Sequence, residues 1–360
     1  LSSSSAASDV YKRQLQASVA VDEVILVPAI WRDPQSDFRS DAFPPAFRIL
    51  NEQGEVLADV QTTEKELPRI APLVVPTFGK TASKIRIEIE HLCPRAFDGM
   101  FLIQFAEVLV FSGPHNAALR QPVTTSRTWP YHNNEWQPRF LTDGSLPYLM
   151  HAAKGEQSIA YLSPVFHSEG VQVAPTIDLQ QSVPVTGIHL HLVDQGDTVP
   201  QGAADGVGMP KKLRIEGANQ PDFSDARQLL EVEAKSEYDI SPIMMWNLPE
   251  TTCRYIRFTA LEPYLFRYLA KDLPRIGFAE IEIHSKGSNV AAGKSILIDE
   301  MLFDENRPLT ALTDGRNIYG NILPQREWLE QLAERHDLET ERPLIAAELQ
   351  RHYARQKSTV

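Results

Sequence analysis

The chain repeats itself at domain length, and this constrains its fold more than any other feature. Ile103–Asn116 reads IQFAEVLVFSGPHN, and 173 residues later Ile276–Asn289 reads IGFAEIEIHSKGSN, with Ile, Phe, Ala, Glu, Ser and Asn in matching places. Leu141-Thr142-Asp143-Gly144 returns as Leu312-Thr313-Asp314-Gly315, and Ile85-Arg86 returns as Ile256-Arg257, both 171 residues on. A unit of that length is a domain, not a short solenoid repeat that needs neighbours to bury its core. A domain of roughly 170 residues buries about 70% of its unfolded surface and needs neither disulfide nor metal to hold together.

The repeated segments have the period of a half-buried strand. Ile85, Ile87 and Ile89 alternate with Arg86, Glu88 and Glu90; Ile188, Leu190 and Leu192 alternate with His189 and His191; Ala279, Ile281 and Ile283 alternate with Glu280, Glu282 and His284. Prolines (26) outnumber glycines (18), which suits short strands joined by stiff turns better than long helices. The fold class predicted is all-β, a tandem of antiparallel β-sandwiches of jelly-roll type. Helical spacing begins only after residue 320. Pro324 fits the first turn of a helix carrying Trp328, Leu329, Leu332 and Ala333. Pro343 fits the start of a second, with Ile345, Leu349 and Tyr353 on one side and Arg351, Arg355 and Lys357 complementing its dipole.

Domain boundaries follow if Asn116 opens a unit. The stretch 15–115 is then a first sandwich truncated at its front, 116–288 a second and complete one, and 289–360 the start of a third repeat passing into a helical cap or connector. The first fourteen residues, LSSSSAASDVYKRQ, lack the apolar centre of a signal peptide and resemble translated adapter sequence. They are set aside as a non-native or disordered tail.

Charge and motif content exclude several functions. Lys and Arg total 35 against 47 Asp and Glu, a net charge of −12, which is unsuited to phosphate neutralisation on nucleic acid or to an anionic membrane face. Apolar runs fall short of the eighteen residues that would span a bilayer. The two cysteines, Cys93 and Cys253, are far apart, outside metal-type spacing, and read as buried free thiols. No Gly-x-Ser-x-Gly, His-Glu-x-x-His or P-loop is present, so the chain reads as a non-enzyme.

The order and spacing of three pieces resemble the discoidin, or galactose-binding-like, domain, the coagulation-factor C-terminal type also found among carbohydrate-binding modules. Asn116-Ala-Ala-Leu119 with Pro122-Val-Thr-Thr-Ser126 resembles its opening strand, Leu141-Thr-Asp-Gly144 its aspartate-glycine turn, and Phe278-Ala-Glu-Ile-Glu-Ile283 its closing strand. The turn departs from the family in continuing Ser145-Leu-Pro-Tyr148 where a Thr-x-Trp element is usual, and Asp194–Met209 looks like a loop insertion. The resemblance implies stacked antiparallel sheets, ligand bound by loops at one end, no catalysis, and in many members a structural calcium. Asp143 and Glu280 match the calcium positions, and hard oxygens are the donors that ion takes.

The segment Trp129-Pro-Tyr131-His132-Asn133-Asn-Glu-Trp136 is the candidate ligand contact. Flat rings pack on the C–H faces of sugars while amide and imidazole groups bond their hydroxyls, and loops on a rigid scaffold are where such groups sit. The same rings would also serve to plug the end of a sandwich. Trp31-Arg32 and Trp246-Asn247 read as core or rim packing, and His189 with His191 would hold a metal only if a third ligand arrived. The functional expectation is an extracytoplasmic binding region for carbohydrate or another cell-surface ligand, compatible with a receptor ectodomain anchored beyond residue 360. The alternatives are a structural spacer and an accessory part of an enzyme.

Overall fold

A computed structural model describes residues 10–32, 38–40, 42–61, 71–94, 99–126, 137–146, 158–164, 174–193, 206–235, 239–268, 271–297, 306–317 and 320–357. Two seven-stranded sheets carry the chain. The first contains β1 (Val10–Pro28), β2 (Ala46–Leu50), β3 (Val56–Gln61), β4 (Leu73–His91), β5 (Phe105–Ser112), β6 (His115–Asn116) and β7 (Val123–Thr125). The second contains β8 (Thr176–His191), β9 (Lys212–Ala218), β10 (Arg227–Glu233), β11 (Ile243–Glu262), β12 (Glu280–Ser285), β13 (Ser288–Asn289) and β14 (Ser295–Leu297). Their orders are β6-β5-β1-β4-β2-β3 with β7 on β1, and β13-β12-β8-β11-β9-β10 with β14 on β8. Every pairing is antiparallel, and each strand of the second sheet has its counterpart seven strands earlier. The all-β expectation holds.

Each sheet becomes two layers because its longest strands bend. β1 and β4 are 19 residues each, and β8 and β11 are 16 and 20. Their pairing slips between Gln14 and Val19 and between Val21 and Glu23, and in the second unit between Asp178 and Val183 and between Val185 and Gly187. Such bulges turn a strand and raise its twist. The early part of β1 therefore pairs with β7 and its late part with β5. Val24, Leu26, Val108 and Val110 from one part meet Phe47, Ile49, Ile85, Ile87 and Ile89 from the other in a single core. Ile188, Leu190, Ile281 and Ile283 meet Ile215, Ile256 and Phe258 in the second. Each such aliphatic or aromatic side chain contributes roughly 1.5–3 kcal/mol by burial. Ile85 and Ile256 sit on the equivalent strands β4 and β11, facing Arg13 on β1 and Ile177 on β8.

The phase of the repeat differs from the sequence expectation. β6 and β7 bond to β5 and β1, so residues 115–125 belong to the first sandwich, and a boundary at 115/116 cuts through its sheet. By the same pairing, β13 and β14 close the second sandwich instead of opening a third unit. The first sheet has the same strand complement as the second, so it is not short of its opening strands. Val10–Gln14, set aside as tail, extend β1 along β4. A repeat specifies a period, and only strand pairing says where in the cycle a sheet closes.

A single helix, α1 (Gln325–Lys357), runs through Pro343 where two helices were expected. Its first turns bury Leu329 and Leu332 against Ile25, Val27, Leu109 and Phe111 on the outer face of the first sheet, joined by Ile243 and Met245 of β11. This shared cluster joins helix and both sandwiches. Arg326 anchors it, donating from Nε to Glu23 Oε1 at 2.9 Å and from Nη1 to the Gly113 carbonyl at 2.9 Å. Beyond Ala333 the helix is exposed, including Leu338, Leu344, Ile345 and Leu349. Cys253 is buried as expected, whereas Cys93 is partly exposed.

Candidate functional site

The predicted ligand residues Trp129, Tyr131, His132, Asn133 and Trp136 lie outside the described residues. Their frame is described. β7 ends at Thr125, and a 3-10 turn, Pro138–Leu141, takes the chain up again. β7 is held by β1, so the segment springs from the first sandwich, not from the second as expected. Arg139 Nη1 donates to Asp239 Oδ1 at 2.7 Å, tying the far side of the frame to the second sandwich.

The aspartate-glycine turn occurs twice with the same bonds. In the first copy Gly144 N–H donates to Glu107 Oε1 at 3.0 Å, Ser145 N–H to Asp143 Oδ1 at 2.8 Å, and Thr142 Oγ1 to the Gln121 carbonyl at 2.9 Å. In the second Gly315 N–H donates to Glu280 Oε1 at 3.2 Å, Arg316 N–H to Asp314 Oδ1 at 2.9 Å, and Thr313 Oγ1 to the Lys294 carbonyl at 2.8 Å. Asn116 and Asn289 each accept from two backbone N–H groups, Val110 and Ala118 in one case and Ile283 and Ala291 in the other. The closing-strand glutamate thus receives the turn glycine of its own sandwich.

This corrects the pairing of Asp143 with Glu280: Asp143 shares its turn with Glu107, and the turn against Glu280 carries Asp314. Glu280 is fully buried, its Oε2 has no hydrogen-bond partner among the described residues, and burial, with Glu282 and Asp314 nearby, pushes its carboxyl up to about 9. A buried carboxylate oxygen in that position is costly unless protonated or met by a cation. The site therefore fits a hard cation at Glu280. Asp143 lies where the sandwiches meet. Burial raises its carboxyl to about 6 against the opposing pull of the Ser145 N–H and the Arg120 guanidinium. Arg120 Nε donates to the Met245 carbonyl at 2.6 Å, and its guanidinium lies 4.7 Å from the Trp246 ring centre. Asn247 Nδ2 donates to the Asn116 carbonyl at 2.9 Å, so Trp246 and Asn247 serve packing between the sandwiches.

One constellation was missed by reading along the chain. His189 and His191 of β8 lie on the face opposite the second core, beside Glu282 and His284 of β12, with His189 directly facing Glu282. Glu282 receives His189 Nδ1 at 3.2 Å, His191 Nε2 at 3.1 Å and His284 Nε2 at 2.7 Å. Although burial works the other way, these three ring donors hold Glu282 well below the usual carboxylate range. The third ligand type that the His-x-His spacing lacked comes from a strand 91 residues away. A signal was present in the repeat itself, because Leu109 and Phe111 of the first copy align with Glu282 and His284 of the second.

No family model and no curated protein matches the chain. Solved structures do. A CBM32 module from a family 31 glycoside hydrolase of Clostridium perfringens is 15% identical, covering 40% of this chain and 86% of that one, with a TM-score of 0.27. The paired CBM32-1 and CBM32-2 domains of Clostridium perfringens ZmpB are 8% identical over 78% of this chain and 84% of theirs, at 0.25. A fucolectin from striped bass (Morone saxatilis) serum is 10% identical over 81% and 83%, at 0.22. The chain is similar to these galactose-binding-like structures, and likeness at this level carries no conclusion about function.

Proposed function

We propose that the chain is a non-catalytic, extracytoplasmic binding region for carbohydrate, with Trp129, Tyr131, His132, Asn133 and Trp136 as its contact surface. The observation that carries this reading is the frame of that segment. In sequence the segment joins β7, which pairs with β1, to the 3-10 turn Pro138–Leu141, and it sets polar side chains between two tryptophans. Such placement keeps the ordering cost of the scaffold out of binding, so ring stacking and amide bonds to hydroxyls appear as affinity. Among the described residues no helix is long and apolar enough to cross a membrane.

The test is a glycan array probed with the intact chain and with a Trp129→Ala/Trp136→Ala variant. Binding by the parent that falls at least tenfold in the variant supports the reading. Absence of binding by the parent, or equal binding by both, favours a structural spacer. We further propose that Glu280, with the turn Thr313–Gly315, takes a calcium ion when one is available. The orphaned Glu280 Oε2 supports this. Calcium should then raise the melting temperature of the parent and leave Glu280→Gln unmoved.

A further inference from the structure

Among the described residues, one group of side chains brings metal-ligating atoms together: His189, Glu282 and His284, all within 4.8 Å of one another. Its setting is unlike that of solvated strand histidines. Glu282 is 6% exposed and His191 2%, while the side chains of His189 and His284 keep 16% and 20%, so the cluster is buried at its base and reachable from one side. The rings of His189 and His284 lie 4.1 Å apart between centres, tilted by 36°.

Comparison of the two copies shows that packing does not require polar groups here. Ile25 pairs with Leu109 in the first sheet as His189 pairs with Glu282 in the second. One step along, Val27 occupies the place of His191, and Phe111 that of His284. Ile25, Val27, Leu109 and Phe111 form an apolar patch under α1. The second copy has exchanged an apolar row for three imidazoles around one carboxylate, on the same backbone.

We propose that His189 Nδ1, His284 Nε2 and the Glu282 carboxylate hold a zinc ion, with His191 as a positioning residue on the other carboxylate oxygen. Zinc takes imidazole and carboxylate at about 2.0–2.2 Å in a tetrahedron, whose edges are then roughly 3.3 Å. The His189 and His284 nitrogens lie 3.2 and 2.7 Å from Glu282 Oε2, so small opening movements seat the ion. The nitrogen facing the metal must be unprotonated, and each ring achieves this by carrying its hydrogen on the opposite nitrogen. His191 bonds Glu282 Oε1 through Nε2, the arrangement of a ring that orients a ligand carboxylate, and among the described residues its buried Nδ1 has no hydrogen-bond partner. Three protein ligands leave a fourth position for water on the side where His189 and His284 are exposed. Calcium, which wants six to eight oxygens, does not suit this set. The site lies on a sheet face and is independent of the proposed sugar loop.

The experiment uses the full chain, stripped with EDTA and titrated with zinc sulfate against a chromophoric chelator, alongside thermal unfolding. One zinc per chain is expected, with a rise in melting temperature of about 5–10 °C at a hundredfold excess over Kd. Calcium at the same concentration should leave the zinc stoichiometry unchanged. The variant His189→Ile/Glu282→Leu/His284→Phe carries the residues of the first copy and should fold but bind no zinc at this stoichiometry. If it does not fold, His284→Ala with cobalt(II) replaces it: the parent shows the visible bands of tetrahedral cobalt and the variant loses them. His191→Ala should weaken binding about 10–100-fold at unchanged stoichiometry, and His191→Gln, which keeps an N–H donor, should restore it. Absence of stoichiometric zinc in the parent, or equal zinc and cobalt binding in parent and variants, overturns the proposal.

Discussion

The two aspartate-glycine turns offer a controlled comparison of strain against crowding. Gly144 and Gly315 have φ of +87° and +74°, and both donate their N–H to a buried glutamate. Alanine retains that N–H, so the hydrogen bond survives either substitution. Each variant bears the left-handed cost of a Cβ, about 1–2 kcal/mol. Beyond that the sites diverge. A Cβ at Gly315 meets nothing within 4 Å, whereas one at Gly144 falls 2.9 Å from Leu119 Cδ1 and 3.3 Å from Met245 Cβ. Met245 lies on β11 of the other sandwich, and Leu119 and Met245 share the apolar cluster between the units, so neither neighbour yields without disturbing that cluster. Overpacking of this kind costs about 1–3 kcal/mol more. Gly144→Ala should therefore lose about 2–5 kcal/mol and Gly315→Ala about 1–2. Urea unfolding followed by tryptophan fluorescence and far-UV circular dichroism measures both. Gly144→Ala should also separate the unfolding of the two sandwiches into distinct transitions, because it loosens their contact. Equal losses in the two variants, with a single shared transition in both, would refute the account of the interface.

Three further outcomes follow from the packing and the charges. Arg326→Ala leaves the 6%-exposed Glu23 without its cation, and because Arg326 is itself partly exposed the loss should be about 1–3 kcal/mol; faster amide exchange confined to the first turns of α1 would confirm it. Asp143, raised to about 6 by burial, favours the protonated folded form, so the stability it provides is complete below the usual carboxylate range and lost as pH rises through 6. The parent should therefore decline relative to Asp143→Asn by no more than about 3 kcal/mol between pH 4 and 7, and parallel pH curves would contradict this. Burial pushes the Cys253 thiol up to about 11, so a thiol reagent at pH 8 should label Cys93 in the folded chain and reach Cys253 only on unfolding.

The candidate sites were legible in unequal parts. Glu280 was singled out as an acid beside an aspartate-glycine turn, but it was matched to the wrong turn, since Asp143 belongs with Glu107. The same error of phase assigned the Trp129–Trp136 segment to the second sandwich, although β7, the strand before it in sequence, pairs in the first. His189 and His191 were recognised as metal-ligand types on one strand that lacked a third ligand. Their partners sit on β12, brought there by a ladder that closes only after β9, β10 and β11 have been laid down.

Alternation of Ile with Arg or Glu along β4, and the return of Ile85-Arg86 as Ile256-Arg257 on β11, determined from the amino acids alone that antiparallel sheet recurs with a period of about 170 residues. Side-chain period is a local property, written in adjacent residues, and survives without coordinates. Which strand closes each sheet, which glutamate meets which turn, and that three histidines surround one carboxylate were decided by tertiary structure. Those facts depend on contacts between segments from about 35 to more than 100 residues apart, and a repeating pattern is equally consistent with every choice of starting point.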